Sequence, residues 1–402
     1  MRKPVFKFLA TALLCSCLLP WNATAEKPGI MSASLPAFSA NQAERLLVQG
    51  LLEINDGKLR DALNTIDQLL AAVPNFRLAH LVRGDLLMAF AQQSPIQDDK
   101  SRAARADFQD EARVRIERHL EQLHEDRIPD VLWRMAPDQR YAVVVDTAKS
   151  RLYVYQNRDN LPHYLVDYYI TMGKNGSDKF SEGDKRTPLG VYVAGQKLER
   201  KLPDFYGEAA YPLSYPNALD RKQGKKGHGI WLHGTPSDMY SRPPKASDGC
   251  VVIANPDLKS LAGVLQGGTT PFIISNNLTW ITTKEAQQRN QALQAALEQW
   301  RQDWEKQDTE HYLAHYADDF FSTDSDLSRW SQDKRRIQAS KPNVKISLSN
   351  ISMFRYPSSP APMVQVSFDQ DYKSDVLASR MKKQQYWVWD NRRWKIMYEG
   401  PA

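Results

Sequence analysis

A histidine and a cysteine within residues 226–257 have the side chains that acyl transfer requires. His233 follows an apolar run and precedes Gly234, so we expect it at the end of a short buried strand. Cys250 ends a Ser-Asp-Gly-Cys sequence and precedes another apolar run, which predicts a corner between a loop and a strand. A neighbouring imidazole can lower a thiol pKa from about 8.5 into roughly the 3–7 range. The two residues therefore predict a cysteine nucleophile with a histidine base.

Two other interpretations of Cys250 follow from its residue type. A single cysteine is most often a small buried hydrophobic residue, but such cysteines usually lie inside apolar runs, whereas Cys250 follows a turn-rich segment. A zinc site formed by His228, His233, Asp248 and Cys250 is the other alternative, although the paired ligand spacing of common zinc modules is absent from the sequence. The context favours the nucleophile and leaves both alternatives open.

The same stretch resembles the L,D-transpeptidase (YkuD) family, whose signature is His-Gly, about fourteen residues, and then Ser/Thr-x-Gly-Cys. His233-Gly234 and Ser247-Asp248-Gly249-Cys250 match this signature. Many members carry His at the position of Asp248 and Arg or Asn at the position of Val252. These two departures put the acyl acceptor in question.

Residues upstream of the signature extend the resemblance. Residues 143–146 and 151–155 resemble the family's opening hairpin. Gly173-Lys174 and the Arg-Thr-Pro-Leu-Gly sequence at 186–190 resemble its TGK…TPxG stretch. Together these elements cover roughly residues 138–275.

The resemblance implies a role for each residue of the signature. Cys250 is expected to attack, His233 to accept the thiol proton, and the carbonyl of Gly234 to orient the imidazole. The N–H groups of Gly249 and Cys250 are expected to face the oxyanion. No metal or cofactor is implied. An irregular segment, residues 196–227, is expected to form one wall of the cleft or an ordinary surface loop. The candidates for substrate contact are His228, Ser247, Asp248 and Tyr211.

Residues 1–25 have the features of a secretory signal peptide. They contain three basic residues, an apolar run and Ala23-Thr24-Ala25 as a cleavage site. The apolar run has about twelve residues, and a membrane span needs roughly twenty. A lipoprotein signal around Cys17 is the alternative. Cleavage after Ala25 leaves Cys250 as the only cysteine, so the exported protein keeps one unpaired thiol.

Charge and composition exclude several classes of function. The net charge of +6 falls to about +3 when the three basic residues of the signal are removed, which gives no indication of nucleic-acid binding. No further segment is apolar enough to be an integral membrane span. We therefore expect a periplasmic protein.

Residues 38–130 predict an all-α region. Gly50 and Gly84 stand 34 positions apart, which resembles tetratricopeptide spacing. Fewer than three repeats rarely stand alone, so we expect this region to pack on the catalytic domain, to self-associate or to contact a protein partner.

The rest of the chain predicts two further domains and a multidomain α+β protein. Residues 138–276 contain short strands separated by turns, typical of a mostly-β domain, with one helix over residues 258–266 capped by Asn255. Residues 284–402 begin with a long helical stretch, residues 284–317, and continue with strands rich in aromatic residues. This order resembles the cone-shaped SnoaL-like α+β fold, here expected to be noncatalytic.

The three-part layout resembles the shape-determining L,D-carboxypeptidases of Gram-negative bacteria. It implies a cysteine L,D-transpeptidase/L,D-carboxypeptidase that cleaves peptidoglycan stem tetrapeptides before the terminal D-alanine. We expect water to resolve the Cys250 thioester. The alternatives are an L,D-transpeptidase that forms cross-links or attaches or detaches a protein, and a noncatalytic scaffold that binds the cell wall.

Overall fold

The computed structural model describes residues 40–92, 99–121, 126–339 and 343–402. The signal-peptide and lipoprotein predictions fall outside these ranges. Within them, no helix has both the length and the apolar character that crossing a membrane requires.

The first part of the described chain is helical, as predicted. One face of the second helix is fully buried through Ala62, Ile66 and Leu69. The same apolar cluster includes Tyr240, which comes from the β-rich domain, so the helical region is packed onto that domain. The helices are α1 (Ala40–Asn55), α2 (Leu59–Ala72), α3 (Arg77–Phe90) and α4 (Asp99–Leu120).

Two short strands follow the helices, and both belong to sheets other than the main sheet of the β-rich domain. β1 (Arg127–Pro129) pairs with a strand at Trp280–Thr282, and β2 (Leu132–Arg134) pairs with the C-terminal sheet. Neither strand is predicted from the sequence, because three residues are too few to show an alternation of apolar and polar side chains.

A mixed nine-stranded sheet forms the mostly-β domain. The predicted strands at 141–146, 152–156, 165–171 and 272–275 all occur in it, extended by up to a few residues. Its strands are β3 (Tyr141–Asp146), β4 (Arg151–Arg158), β5 (Leu161–Gly173), β6 (Gly190–Val193), β7 (Ala210–Pro212), β8 (Trp231–His233), β9 (Lys245–Ser247), β10 (Val251–Ile253) and β11 (Pro271–Ser275). Their order is β6-β11-β3-β4-β5-β10-β8-β7, and β9 pairs with β5.

Two helices lie in the loops of this sheet, α5 (Ala218–Lys222) and α6 (Asn255–Leu261). The prediction that Asn255 caps a helix over residues 258–266 was wrong. The helix begins at Asn255 itself and ends at Leu261, and the Asn255 side chain bonds to other loops instead. Pro256 in the first turn fits this earlier start, because proline needs no N–H partner there.

The C-terminal domain packs helices against a six-stranded sheet. The predicted helix over residues 284–317 is two helices, because Gln307 has a φ of 58° and the Asp308 side chain accepts the His311 N–H to start the second. The remaining elements are β12 (Trp280–Thr282), α7 (Thr283–Glu305), α8 (Thr309–Ala314), β13 (Tyr316–Phe321), α9 (Leu327–Ala339), β14 (Lys345–Arg355), β15 (Met363–Lys373), β16 (Ala378–Asp390) and β17 (Arg393–Pro401). The sheet order is β13-β17-β16-β15-β14-β2.

The β-rich and C-terminal domains share one apolar core. Tyr153 and Ile273 of the nine-stranded sheet pack in the same buried cluster as Phe354 and Tyr386 of the C-terminal sheet. A shared core fixes the relative orientation of the two domains, because its side chains cannot separate without exposing apolar surface to water.

Candidate functional site

His233 and Cys250 lie on neighbouring parallel strands. His233 ends β8 and is paired in register with Val252 of β10, while Cys250 immediately precedes β10. Paired residues point to the same face of a sheet, and residues two apart on one strand also share a face. The side chains of His233 and Cys250 therefore project from one face. Leu232 and Val251 project from the other face into the core.

The His233 ring is buried and anchored to its own backbone. Its Nδ1 lies 2.7 Å from the carbonyl oxygen of Gly234, which can only accept, so Nδ1 carries the proton and Nε2 has the free lone pair. Burial, with a smaller contribution from the positive charge of Arg242, lowers the pKa of His233 to about 4. The backbone groups of Gly234 and Tyr206 that bond to the ring act in the opposite direction. The imidazole is neutral at neutral pH, which is the form that a general base requires.

Gly234 is required at its position by close packing. A Cβ built there would lie 2.0 Å from Oδ1 of Asn255. The Asn255 amide donates to the Thr235 carbonyl at 2.8 Å and accepts the Glu208 N–H at 3.1 Å. Because residue 234 is glycine, the Asn255 amide has room to hydrogen-bond both the loop of Glu208 and the loop of Thr235 beside the base.

The thiol of Cys250 is partly exposed and contacts backbone groups. Sγ lies 3.6 Å from the carbonyl of Gly229, and the N–H of Trp231 is directed at the sulfur. Burial raises the pKa of Cys250 above its ordinary value, while Lys179 and Arg242 act in the opposite direction. No hydrogen bond between the His233 ring and Sγ is found among the described residues. The resting pair is therefore a neutral thiol and a neutral imidazole.

The Gly-Cys corner is held by Ser247. Its Oγ donates to the Cys250 carbonyl at 2.6 Å and accepts the Gly249 N–H at 3.1 Å. Gly249 has a φ of 123°, which a residue with a side chain rarely adopts. The Gly249 N–H is thus already bonded, which corrects the prediction that it is free to face an oxyanion. Ser247, a predicted substrate contact, is 1% exposed, and its hydroxyl is engaged within the corner.

Thr187 connects the upstream motif to this corner. Its Oγ1 accepts the Gly173 N–H at 2.9 Å and donates to the Gly249 carbonyl at 3.0 Å. The TGK and TPxG elements identified in the sequence are therefore hydrogen-bonded to each other and to the glycine that precedes the cysteine.

The Asp248 side chain is largely exposed to solvent and lies near two lysines. It is 62% exposed and lies 3.5 Å from Lys174 and 4.0 Å from Lys185. His228 is exposed and precedes Gly229, whose carbonyl contacts the thiol.

Tyr211 does not reach the site. It is paired with Leu232 and lies in the core on the opposite face from His233. The wall beside the histidine is formed instead by two residues of the 196–227 segment, with ring centroids 6.0 Å (Phe205) and 5.1 Å (Tyr206) from the imidazole.

Residues 235–246, between the histidine and the cysteine motif, are held by the helical region. The Tyr240 ring packs 4.7 Å from Phe76, and Ser241 Oγ donates to the buried Glu111 at 2.7 Å. The helical region thus supports a loop of the site. The repeat pattern predicts packing of this region on the catalytic domain, but nothing in the sequence indicates which loop it contacts.

No group of three or more His, Cys, Asp or Glu side chains in the described ranges could hold a metal ion, so the zinc interpretation gains no support. A cavity of about 1230 Å³ lies between the β-rich and C-terminal domains and is lined by Phe180, Lys225, Phe321 and Arg335 among others. Its lining does not include His233 or Cys250.

Comparisons with known proteins agree with this geometry. Residues 140–274 match the family of the L,D-transpeptidase catalytic domain, and residues 292–400 match that of the Cds6 C-terminal NTF2-like domain. No curated protein sequence matches the chain.

Two solved structures are similar over most of their own length. Bd1075 of Bdellovibrio bacteriovorus is 30% identical, covers 69% of this chain and 98% of its own, and has a TM-score of 0.61. The helical cell shape determining protein Pgp2 of Campylobacter jejuni is 28% identical, covers 67% of this chain and 95% of its own, and has a TM-score of 0.58. The predicted family and the predicted α+β architecture, with a cone-shaped C-terminal domain, are confirmed. The chain belongs to the L,D-transpeptidase (YkuD) family and carries an NTF2-like domain after its catalytic domain.

Proposed function

We propose that this chain is an exported L,D-carboxypeptidase that removes the terminal D-alanine of peptidoglycan stem tetrapeptides through a thioester on Cys250. Membership of the family supports a cysteine enzyme that acts on peptidoglycan. The similarity to Pgp2, described as a cell shape determining protein, supports a role in cell shape. The observation that carries the proposal is a buried neutral imidazole, His233, on the same sheet face as the only cysteine of the described chain.

The first step is attack on the carbonyl of the diamino acid. Nε2 of His233 takes the thiol proton while Sγ forms a bond to the carbonyl carbon. The Gly234 carbonyl accepts Nδ1–H and stabilises the imidazolium that forms. The N–H of Cys250 is the proposed oxyanion donor, and that of Gly249 can help only by leaving Ser247 Oγ.

The second step releases D-alanine and the third releases the tripeptide. The imidazolium returns its proton to the leaving nitrogen as the carbon–nitrogen bond breaks, which leaves a thioester. His233 then takes a proton from water, whose oxygen attacks the thioester carbonyl. Sγ departs and regains the proton, so the thiol is regenerated and the tripeptide ends in a carboxylate.

Water is proposed as the acceptor because it needs no dedicated site at about 55 M. A second stem peptide needs a channel that holds its amine against the thioester. Many cross-linking members carry Arg or Asn where this chain has Val252, and Val252 is 1% exposed. A side chain so deeply buried and apolar offers no contact to an incoming amine.

The test is an incubation of purified protein with a defined disaccharide tetrapeptide, followed by mass spectrometry of the products. We expect tripeptide and free D-alanine in equal amounts. Cross-linked dimers that form faster than tripeptide would instead make the chain a transpeptidase. If neither product forms and a thiol-reactive carbapenem leaves the mass of the protein unchanged, the chain is a noncatalytic scaffold. Cys250→Ala is the matched control.

A further inference from the structure

Arg242 is a buried cation beside the proposed catalytic residues. It is 7% exposed, its guanidinium carbon lies 4.6 Å from the centre of the Phe205 ring, and Nη2 donates to the Phe205 carbonyl at 3.3 Å. The Phe205 ring in turn lies 6.0 Å from the His233 imidazole. The positive charge of Arg242 acts on both His233 and Cys250.

The backbone of Arg242 is fixed on the face of the sheet that carries the two reactive residues. Its carbonyl accepts the Tyr169 hydroxyl at 2.8 Å and the Thr171 hydroxyl at 3.0 Å. Thr171 is paired in register with Val252, two residues from Cys250. The Arg242 backbone is therefore held on the same face of the sheet as the thiol.

Arg242 differs from the other buried cations in forming no direct ion pair with a carboxylate among the described residues. The charges of Asp248 and Asp238 act on it from a longer distance. Arg115 and Arg151 are equally buried and form ion pairs with Glu111 and with Asp167 and Glu44. Lys179, the other cation that acts on the Cys250 thiol, is paired with Asp184 at 2.7 Å. A buried charge without a counterion is costly, and a site that retains one is suited to an anionic ligand.

We propose that Arg242 binds the free α-carboxylate of the D-alanine leaving group and thereby selects stem peptides that end one residue after the scissile bond. This inference rests on the proposed function. The planar guanidinium can donate two parallel N–H bonds to a carboxylate, which lysine cannot.

The geometry of the substrate places this carboxylate close to the reaction centre. Three bonds separate the attacked carbonyl carbon from the carboxylate carbon of the next residue, a distance of less than about 4 Å. A stem with a further residue moves the carboxylate by about 3.8 Å, and an amide removes its charge. Arg242 thus predicts discrimination against both pentapeptide and amidated tetrapeptide.

The kinetic test compares the tetrapeptide with its C-terminal amide in wild-type protein, Arg242→Gln and Arg242→Lys. We expect the wild type to prefer the free acid by about 10- to 100-fold in kcat/KM. Arg242→Gln should lower kcat/KM more on the acid than on the amide, so that the preference is lost, and Arg242→Lys should lie in between. The effect of the lost charge on His233 and Cys250 is common to both substrates and cancels in their ratio. Arg200→Gln, which removes an arginine stacked 5.7 Å from Trp231, is the matched control and should retain the preference.

A binding test separates this inference from the proposed function. Tetrapeptide and amide are titrated into Cys250→Ala and into Cys250→Ala/Arg242→Gln by calorimetry, with melting temperatures to verify folding. If Cys250→Ala binds the acid more tightly than the amide, and the double variant does not, the inference is supported. This holds even if the wild type hydrolyses neither peptide. Equal binding of acid and amide to Cys250→Ala, or an equal loss for both in the double variant, would overturn it.

Discussion

The Nδ1 atom of His233 lies 2.7 Å from the carbonyl oxygen of Gly234, the residue that follows it. The base is thus oriented by a neutral backbone group, and no carboxylate in the described ranges is bonded to the ring to stabilise its protonated form. Burial then dominates, and the pKa of His233 falls to about 4.

The first prediction concerns pH. The neutral imidazole is the active form, so kcat/KM should stay level as pH falls from 7 to 5 and decline only near pH 4, by about tenfold per unit below it. The pKa of the Cys250 thiol is raised, so ionisation of the thiol does not cause a decline of the rate in this acidic range. Rates on the tetrapeptide in buffers from pH 3.5 to 9 provide the measurement. An acid limb centred near 6.5, the ordinary histidine value, would contradict it.

Cys250→Ala and His233→Gln should each reduce kcat by at least about 1,000-fold, because the two side chains act as one proton-coupled unit. Melting temperatures should change little. His163→Ala, an exposed histidine on β5, is the control and should retain wild-type activity. Retention of more than a few per cent of activity by either variant would remove that residue from the mechanism.

Asp248→Asn should change the rate by no more than about threefold, because the carboxylate is 62% exposed and its effect on the thiol is screened. The direction should be a small increase at neutral pH, since the charge of Asp248 raises the pKa of Cys250. Lys174→Gln removes a partner of Asp248 and should produce a small decrease. Complete loss of activity in Asp248→Asn would assign this residue a catalytic role.

Asp257 should make stability depend on pH. It is buried on α6, its Oδ1 has no hydrogen-bond partner within the described part of the chain, and burial raises its pKa to about 7. The carboxyl of Asp257 keeps its proton up to about pH 7 in the folded state but loses it near pH 4 in the unfolded chain. The free energy of unfolding therefore falls as pH rises from about 4 to 7. Asp257→Asn should be more stable than wild type by about 2–4 kcal/mol at pH 8, with little difference at pH 4.

Urea denaturation at pH 4, 6 and 8 measures this effect. The matched control is Asp107→Asn, an exposed aspartate on α4, which should follow the wild-type profile. Parallel profiles of Asp257→Asn and wild type would show that Asp257 is ionised in the folded protein.

The sequence predicted the strand that ends at His233 and the strand that follows Cys250, because apolar runs beside a short motif mark both chain positions. It did not predict the surroundings. Arg242 lies in a Ser-Arg-Pro-Pro sequence that is typical of an exposed loop, and its burial against Phe205 of a distant loop becomes evident only in the folded chain. Tyr211 was misassigned because the alternation of side chains along a three-residue strand depends on the partner strand.

Residues 132–134 precede the catalytic domain in sequence, yet β2 is the outer strand of the C-terminal sheet and covers the edge of β14. The last domain is therefore completed by a segment synthesised long before it. A fragment that begins at β12 would leave the backbone groups of β14 unpaired, and an uncovered edge of this kind recruits strands from other molecules. The two domains are consequently not interchangeable modules, and grafting the C-terminal sheet onto another enzyme requires the β2 segment to be transferred with it.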